Sequence, residues 1–331
     1  MKPTTVLRFW LFSNAGLVVA MMALGAITRL KGAGLSIVEW KPLVGILPPF
    51  SLDDWTFLFQ QYQKSPEFQK INFSFTLEDF RPLFWLEYFH RLLGRILGLS
   101  FILPGLLFWM KGYFTPFLQR SFLGLIVLGI LQGIMGWFMV KSGLINDPHV
   151  SPYRLAAHFF LAVGLYLGMI RAAFSLFPPS SHYSPSLKKF FLLLLMPLGL
   201  TLFYGTLVAG LKAGLIYNTF PLMGGSFCPL EIWALKPLWT NLFENPATVQ
   251  LMHRWLACLT GTLIVGGCVK GLAHPLPPAV QRILWVLLGL VMGQIILGIF
   301  TLLEGAPPFL ATLHQLGAVA LLTGLVFIVF R

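Results

Sequence analysis

The sequence predicts an all-α integral membrane protein, with eight transmembrane helices arranged as two pseudo-symmetric four-helix bundles. Composition is the first reason: 57% of the 331 residues are hydrophobic and only 10% are charged, whereas soluble domains carry roughly a quarter charged residues. Mean hydropathy is +0.80. The second reason is the set of long apolar segments, and the third is an internal repeat. Because the backbone must satisfy its own polar groups in hydrocarbon, and no segment alternates like a barrel strand, we expect helices.

Eight apolar segments are each long enough to cross a bilayer, which takes about 20 helical residues. The first follows Lys2 and Arg8. Its apolar run is longer than the roughly 7–15 residues of a signal-peptide core, so we expect a retained helix. The segments lie near residues 6–28, 85–110, 119–141, 153–176, 187–211, 247–270, 280–303 and 308–330.

The long segment between the first two spans, residues 29–84, is predicted to lie on the outward side of the membrane. Two interfacial helices are expected in it. One begins near Asp53 and Asp54, which would act as the N-cap. The other begins near Thr76, with Asp79 three positions later as in a capping box, and is expected to run straight into span 2.

The charge pattern predicts that both termini are cytoplasmic. An even number of spans places the termini on one side, and lysine and arginine in short loops set orientation. That side carries ten basic residues and no acidic residue. The orientation of the protein therefore explains its net charge of +12, because the basic side faces anionic lipid headgroups. No nucleic-acid partner is needed to explain this charge. The ten residues are Lys2, Arg8, Lys111, Arg120, Arg171, Lys188, Lys189, Lys270, Arg282 and Arg331.

Similar motifs recur in the same order in both halves, which predicts a parallel repeat related by an axis along the membrane normal. Each half should be a bundle with its ligand site between facing helices. The predicted divisions are residues 1–176, a cytoplasmic linker 177–186 and residues 187–331. The matching features are Ala33-Gly34-Leu35 with Ala213-Gly214-Leu215, His90-Arg91 with His253-Arg254, Gln132 with Gln294, and His158 with His314.

Four histidines at these matching places are the candidate ligands. Each is predicted to lie within about two turns of the outward end of its helix. Each also has a Gly or Ala four positions later, on the same helix face. The small residue leaves the helix face beside each imidazole flat, which suits a planar macrocycle. Two facing imidazoles would fill both axial positions of a haem iron. A single membrane histidine more often bonds a neighbouring helix, but the recurrence favours haem. The pairs are His90 with His158 and His253 with His314.

Glu87 distinguishes the two halves, because the second half has Gln250 at the corresponding place, three residues before its histidine. Glu87 also lies four residues before Arg91, within reach along the helix. Two interpretations stay open: a salt bridge at the helix end, or a catalytic carboxylate that moves protons or stabilises a cation. Zinc or copper would need further converging ligands, and only Glu87 comes close. The swap predicts one chemical site and one redox site.

Five arginines near the outward boundary are candidate contacts for haem propionates, because guanidinium pairs well with carboxylates. Snorkelling to lipid headgroups explains the same positions equally well. Gln132 and Gln294 are expected to hydrogen-bond across helices beside Gly136 and Gly298, where close packing is possible. The arginines are Arg29, Arg91, Arg95, Arg154 and Arg254.

Motifs along nearly the whole chain resemble the haem A synthase family. The long first outward loop and the lack of paired outward cysteines are similar to the subtype of mitochondria and many Gram-negative-type bacteria. The segments are GLSIVEWKPLVGILPP (34–49), EYFHRLLGR (87–95), QGIMGWFMVKSGL (132–144), SPYRLAAH (151–158), AGLKAGLIYNTFPLMGG (209–225), HR (253–254) and LHQ (313–315).

This resemblance implies an oxidoreductase that converts the C8 methyl group of haem O to a formyl group, giving haem A for terminal oxidases. It implies a haem b cofactor at His253 and His314, substrate haem at His90 and His158, and an important acid at Glu87. It also implies a multi-pass protein of the cell (inner) membrane with haem sites near the periplasmic face. Haem O synthase and terminal oxidase assembly factors are then the expected partners.

Two other functions stay open on the residues. A di-haem b-type electron carrier, linked to quinol, would use four histidines without chemistry on haem itself. The difference between Glu87 and Gln250 argues against that carrier. A transporter is disfavoured, because the polar residues crowd the outward ends of the spans and not the midplane.

Overall fold

A computed structural model describes residues 2–40, 44–145, 147–178 and 185–330. Eight of its helices are long and apolar enough to cross a membrane, which confirms the predicted all-α membrane fold. Motif residues 41–43 and linker residues 179–184 lie outside the described ranges. The helices are α1 (Pro3–Leu30), α2 (Leu52–Gln63), α3 (Pro66–Lys70), α4 (Leu77–Met110), α5 (Pro116–Gly143), α6 (Pro152–Phe174), α7 (Pro185–Gly210), α8 (Asn241–Glu244), α9 (Pro246–Leu272), α10 (Pro278–Leu303) and α11 (Pro308–Phe330).

Proline marks the start of every membrane-spanning helix except α4. The first helical position has no intrahelical partner for its N–H, so proline costs nothing there and its fixed φ suits the helix. Side-chain caps add to this at α5, where the Leu118 amide donates to Thr115 Oγ1, and at α9, where Asn245 accepts from Ala247. Proline residues and capping side chains therefore set where the spans begin.

Helix α4 begins eight residues before the predicted span, because a capping box extends it. Thr76 accepts from the Asp79 amide, and the Asp79 side chain accepts from the Thr76 amide. The expected continuation into span 2 is confirmed. The predicted position of His90 within two turns of its helix end is wrong, since His90 lies about three and a half turns after Leu77.

The loop before α4 differs from the prediction in two details. The N-cap of α2 is Ser51, and Asp54 is its capping-box partner inside the helix, so the placement of the cap at Asp53 and Asp54 is wrong. The sequence analysis also missed α3, whose N-cap is Ser65. An aromatic cluster packs α2 against α4; its buried members are Trp55, Tyr62, Phe80, Phe84 and Tyr88.

The chain forms two compact units, Met1–Leu176 and Phe177–Arg331. In the N-terminal unit, α1 packs against α4 and α6, and α5 packs against α6 and, over fewer residues, against α4. In the C-terminal unit, α7 packs against α9 and α11, and α10 packs against α9 and α11. Taken separately, the units use the same helix pairings, whereas the axis that would relate them stays a prediction.

Candidate functional site: two histidine pairs

The C-terminal pair brings the imidazoles of His253 on α9 and His314 on α11 close together. Their ring centroids are 6.3 Å apart and their planes are nearly perpendicular, at 86°. Two imidazoles that bind opposite sides of one metal, each at a metal–nitrogen distance of about 2.0 Å, have centroids roughly 6 Å apart. The spacing of His253 and His314 therefore fits a single axially ligated iron.

Each of the four imidazoles lies against a glycine of a neighbouring helix. A Cβ atom built on that glycine would meet the histidine Cε1 at 2.8–3.1 Å, closer than an ordinary van der Waals contact. A side chain at these positions would displace the ring, so the glycines let the helices approach and hold the imidazoles. The pairs are Gly25 with His90, Gly136 with His158, Gly205 with His253, and Gly298 with His314.

Two of these glycines, Gly25 and Gly205, were missed by the sequence analysis. A signal was present: each lies eight residues before an Ala-Gly-Leu motif that begins at Ala33 or Ala213. Extending the repeat comparison backwards into spans 1 and 5 would have found them. The glycine or alanine four residues after each histidine does not take part in these four contacts, and its part in binding a macrocycle stays a prediction.

The hydrogen bonds of the histidine Nδ1 atoms differ between the rings. The Nδ1 atom of His253 is 3.1 Å from the carbonyl oxygen of Thr201. A proton on Nδ1 would donate to that carbonyl and leave Nε2 as the metal ligand, the usual arrangement for ligating histidine. The Nδ1 atom of His90 is buried and has no hydrogen-bond partner among the described residues.

Buried polar atoms without partners are rare in native proteins. Here the unpartnered Nδ1 atom belongs to the imidazole of His90, a candidate metal ligand that packs on Gly25. Within the described residues, no group of three or more His, Cys, Asp or Glu side chains converges on one point. Paired imidazoles with flat glycine surroundings fit a haem iron, whose other four ligands come from the porphyrin.

Gln132 and Gln294 hydrogen-bond across helices, as predicted, but they contact different parts of their histidines. Gln132 Nε2 is 3.3 Å from His158 Nε2. Gln294 Nε2 donates to the main-chain carbonyl of His314 at 2.8 Å. The imidazole of His158 is therefore in polar contact with α5, whereas Gln294 contacts the backbone of α11.

Glu87 is buried, with only 3% of its surface exposed. Its Oε2 atom accepts hydrogen bonds from Ser36 Oγ at 2.7 Å and from the Ile37 amide at 2.8 Å. Its Oε1 atom accepts from Arg91 Nη2 at 2.6 Å. The ion pair with Arg91 is present, although it lies inside α4 and not at the helix end. Both carboxylate oxygens are thus engaged by donors.

Gln250 of α9 makes the corresponding contacts in the C-terminal unit, but it donates hydrogen bonds to its loop where Glu87 accepts them. Its Nε2 atom donates to the carbonyl oxygens of Ala213 at 2.8 Å and Tyr217 at 3.3 Å. Its Oε1 atom accepts from Arg254 Nη2 at 3.1 Å. In the N-terminal unit the loop presents donors to an acid, and in the C-terminal unit it presents acceptors to an amide.

Three of the five candidate arginines donate to main-chain carbonyls. Arg91 donates to Ile37 and Glu39, Arg254 donates to Tyr217 and Thr219, and Arg154 donates to Phe138 while its guanidinium lies over that ring. Arg29 lies in the last turn of α1, and Arg95 is half-buried on α4. Contact of any of the five with a propionate stays a prediction.

Residues 8–326 match the COX15-CtaA family, described as cytochrome oxidase assembly protein. The chain belongs to the COX15-CtaA family. Proteins similar to it that are named haem A synthase occur in Nitrosospira multiformis (44% identical over 99% of this chain and 92% of the relative) and Rhodospirillum centenum (42%, over 96% and 85%). A haem A synthase named COX15 from Arabidopsis thaliana is 42% identical over 95% of this chain and 72% of the relative.

Membership of the COX15-CtaA family confirms the resemblance read from the motifs. The relatives span both bacteria and a plant, in agreement with the predicted subtype. Their names give no support to the alternative of a di-haem electron carrier. The roles of single residues in this COX15-CtaA chain rest on the geometry above.

Proposed function

We propose that this chain is a haem A synthase, a membrane oxidoreductase that oxidises a methyl group of haem O to the formyl group of haem A. The observation that carries this proposal is a pair of glycine-packed histidines in each unit of a COX15-CtaA chain. Three relatives that share 42–44% identity with it over nearly its full length bear that enzyme name.

The C-terminal pair is the proposed site of a haem b cofactor, with His253 and His314 as axial ligands. The Thr201 carbonyl orients the His253 ring and favours Nε2 as its ligand atom. Gly205 and Gly298 hold the two rings in place. A bound haem at this position supplies one-electron redox chemistry. His253 and His314 would hold the iron from the protein side and would leave no position on it open to oxygen.

The N-terminal pair is the proposed site of the substrate, haem O, with His90 and His158 as the residues that orient it. Converting a methyl group to an aldehyde removes four electrons. A one-electron redox cofactor in the same chain would serve as a relay that passes these electrons, one at a time, to an external electron acceptor. Glu87, three residues before His90, places a carboxylate that is paired with Arg91 on this side of α4. We propose that this charge stabilises positive charge that develops on the substrate during oxidation.

Charge supports the proposed location. We propose the cell (inner) membrane as the location, and the ten basic residues on the side of the termini support a cytoplasmic orientation of that side. The haem sites would then lie toward the periplasmic face. Haem O synthase and terminal oxidase assembly factors are the proposed protein partners, since they would supply the substrate and use the product.

Pigment analysis tests the proposed function. The chain would be expressed in cells that make haem O but lack a haem A synthase, and extracted haems would be separated by chromatography. We expect haem A to appear, and to be absent when His90 and His158 are both replaced by Ala. A membrane protein that binds haem but yields no haem A would instead be an electron carrier, which would overturn the proposal.

A further inference from the structure

We infer that Glu87 is a latch that fastens the loop segment 33–39 over the N-terminal site, and that its release lets haem enter and leave. We call this segment the N-terminal flap and the corresponding segment 213–222 the C-terminal flap. The inference rests on the proposed function for what passes the flap. The hydrogen bonds on which it depends are independent of that function.

The N-terminal flap is fastened to α4 by groups one turn from His90. The Glu87 carboxylate receives the Ser36 hydroxyl and the Ile37 amide. Arg91 donates to the Ile37 and Glu39 carbonyls from the next turn. Both polar groups of the Ile37 backbone are therefore held by one ion pair, which ties the flap to the helix that carries the histidine.

The groups that meet the side chain of residue 87 are all hydrogen-bond donors, so this side chain must only accept hydrogen bonds. Two flap donors and one guanidinium N–H point at the same carboxylate, and a carboxylate is an acceptor only. An amide at position 87 would turn its NH₂ group toward at least one of these donors. A buried donor that loses its acceptor is unfavourable, so Glu87→Gln should free the flap although the side chains have the same size.

The C-terminal flap is fastened by an amide in place of a buried acid. Gln250 and Arg254 of α9 hold the carbonyls of Ala213, Tyr217 and Thr219. Asn218 adds a bond to a second helix, because its Nδ2 atom donates to the Leu302 carbonyl of α10 at 2.6 Å. The N-terminal flap also meets a second helix, because Leu35 packs on Gly143 of α5. The two flaps therefore differ in the hydrogen-bond polarity of their fastening: an acid accepts from one, and an amide donates to the other.

A latch can be distinguished from a purely chemical role of Glu87. If Glu87 is a latch, replacing Ser36 should also loosen the flap. Ser36→Ala removes one donor to the carboxylate and leaves the acid and its proton chemistry in place. Ser36 is buried and its hydroxyl lies 2.7 Å from Glu87. Its loss should loosen the flap while the carboxylate of Glu87 stays in place.

Hydrogen–deuterium exchange of the full-length protein in lipid nanodiscs, read by mass spectrometry, tests the latch. We expect Glu87→Gln to speed exchange of the amides in 33–39 by about tenfold, since exchange reports local opening, and Ser36→Ala to do so less. The matched variant Gln250→Glu should speed exchange in 213–222 and leave 33–39 unchanged. Unchanged exchange in 33–39 for Glu87→Gln would overturn the latch.

A second readout follows haem itself, with haem b as the probe and apomyoglobin as the acceptor that traps released haem. In protein whose C-terminal pair is kept intact, Glu87→Gln and Ser36→Ala should both speed release from the N-terminal site. Release at the wild-type rate in both variants would contradict the latch. The exchange measurement needs no bound haem, so it can support the latch even if pigment analysis disproves haem A synthesis.

Discussion

The two units surround their histidines with the same kinds of residues but fasten the adjoining loops with opposite hydrogen-bond polarity. Each unit places imidazoles on glycines, a glutamine across two helices and an arginine on loop carbonyls. Glu87 accepts from its loop, whereas Gln250 donates to its loop. Under the proposed function, this change of charge at a single position would distinguish a haem held for reaction from a haem held for electron transfer.

The largest expected effect comes from removing a ligand of the C-terminal pair. His253→Ala or His314→Ala should abolish the low-spin haem spectrum of that site, because one imidazole cannot fill both axial positions. The optical spectrum of the purified protein checks this. His149→Ala is the matched control, since His149 is exposed and pairs with Asp147, and it should leave the spectrum unchanged. An unaltered spectrum in His314→Ala would break the assignment of this pair.

Replacing Glu87 by Ala should separate the functions of the two units. Haem A production should fall by about a hundredfold or more, the usual scale for loss of a group that stabilises transition-state charge. The haem spectrum of the C-terminal pair should stay intact, because α9 and α11 lie in the other unit. Extracted pigments and the optical spectrum of one preparation measure both. Normal haem A yield would refute the role of Glu87.

A side chain in place of a packing glycine should expel the facing imidazole. Gly298→Val would place its Cβ 2.8 Å from His314 Cε1, and overpacking of this kind costs about 1–3 kcal/mol. We expect lower haem retention at the C-terminal site, measured as haem per protein after purification. Gly293→Val on the same helix has open space at its Cβ and should retain haem. Equal losses in both variants would show that helix α10 tolerates no added bulk.

The smallest expected effect concerns the two glutamines. Gln132→Leu removes the polar contact to His158 Nε2. Haem binding at the N-terminal site should become several-fold tighter, because the His158 ring would no longer have to give up its contact with Gln132 in order to bind the iron. Gln294→Leu leaves the His314 ring untouched and should change binding less. Equilibrium titration with haem b measures both. Weaker binding in Gln132→Leu would mean that the glutamine supports the ligand ring.

Hydropathy and capping signals were sufficient to predict the spans, because a bilayer leaves few alternatives to an apolar helix. The ion pair of Glu87 with Arg91 was predictable for a related reason, since residues four apart share a helix face. The five-residue helix α3 was not, because so short a helix has no periodic pattern. The N-cap of α2 was misplaced by choosing Asp54 over Ser51, two residues that cap each other.

The loop contacts of the candidate site could not be predicted, because they join distant parts of the chain. Ser36 and Glu87 are separated by 51 residues, and Gln250 and Ala213 by 37. A sequence pattern gives the face of a helix but not which loop group meets it. The polarity of the two flaps, donors in one unit and acceptors in the other, depends on backbone direction and needs the three-dimensional structure.

The most direct test of the central claim is low-temperature electron paramagnetic resonance of the purified, oxidised protein loaded with haem b. If paired imidazoles hold one iron in each unit, the spectrum should contain low-spin ferric signals from two sites. His90→Ala should remove one of them and His253→Ala the other. A protein that retains no haem, or a high-spin signal that neither substitution alters, would contradict the claim.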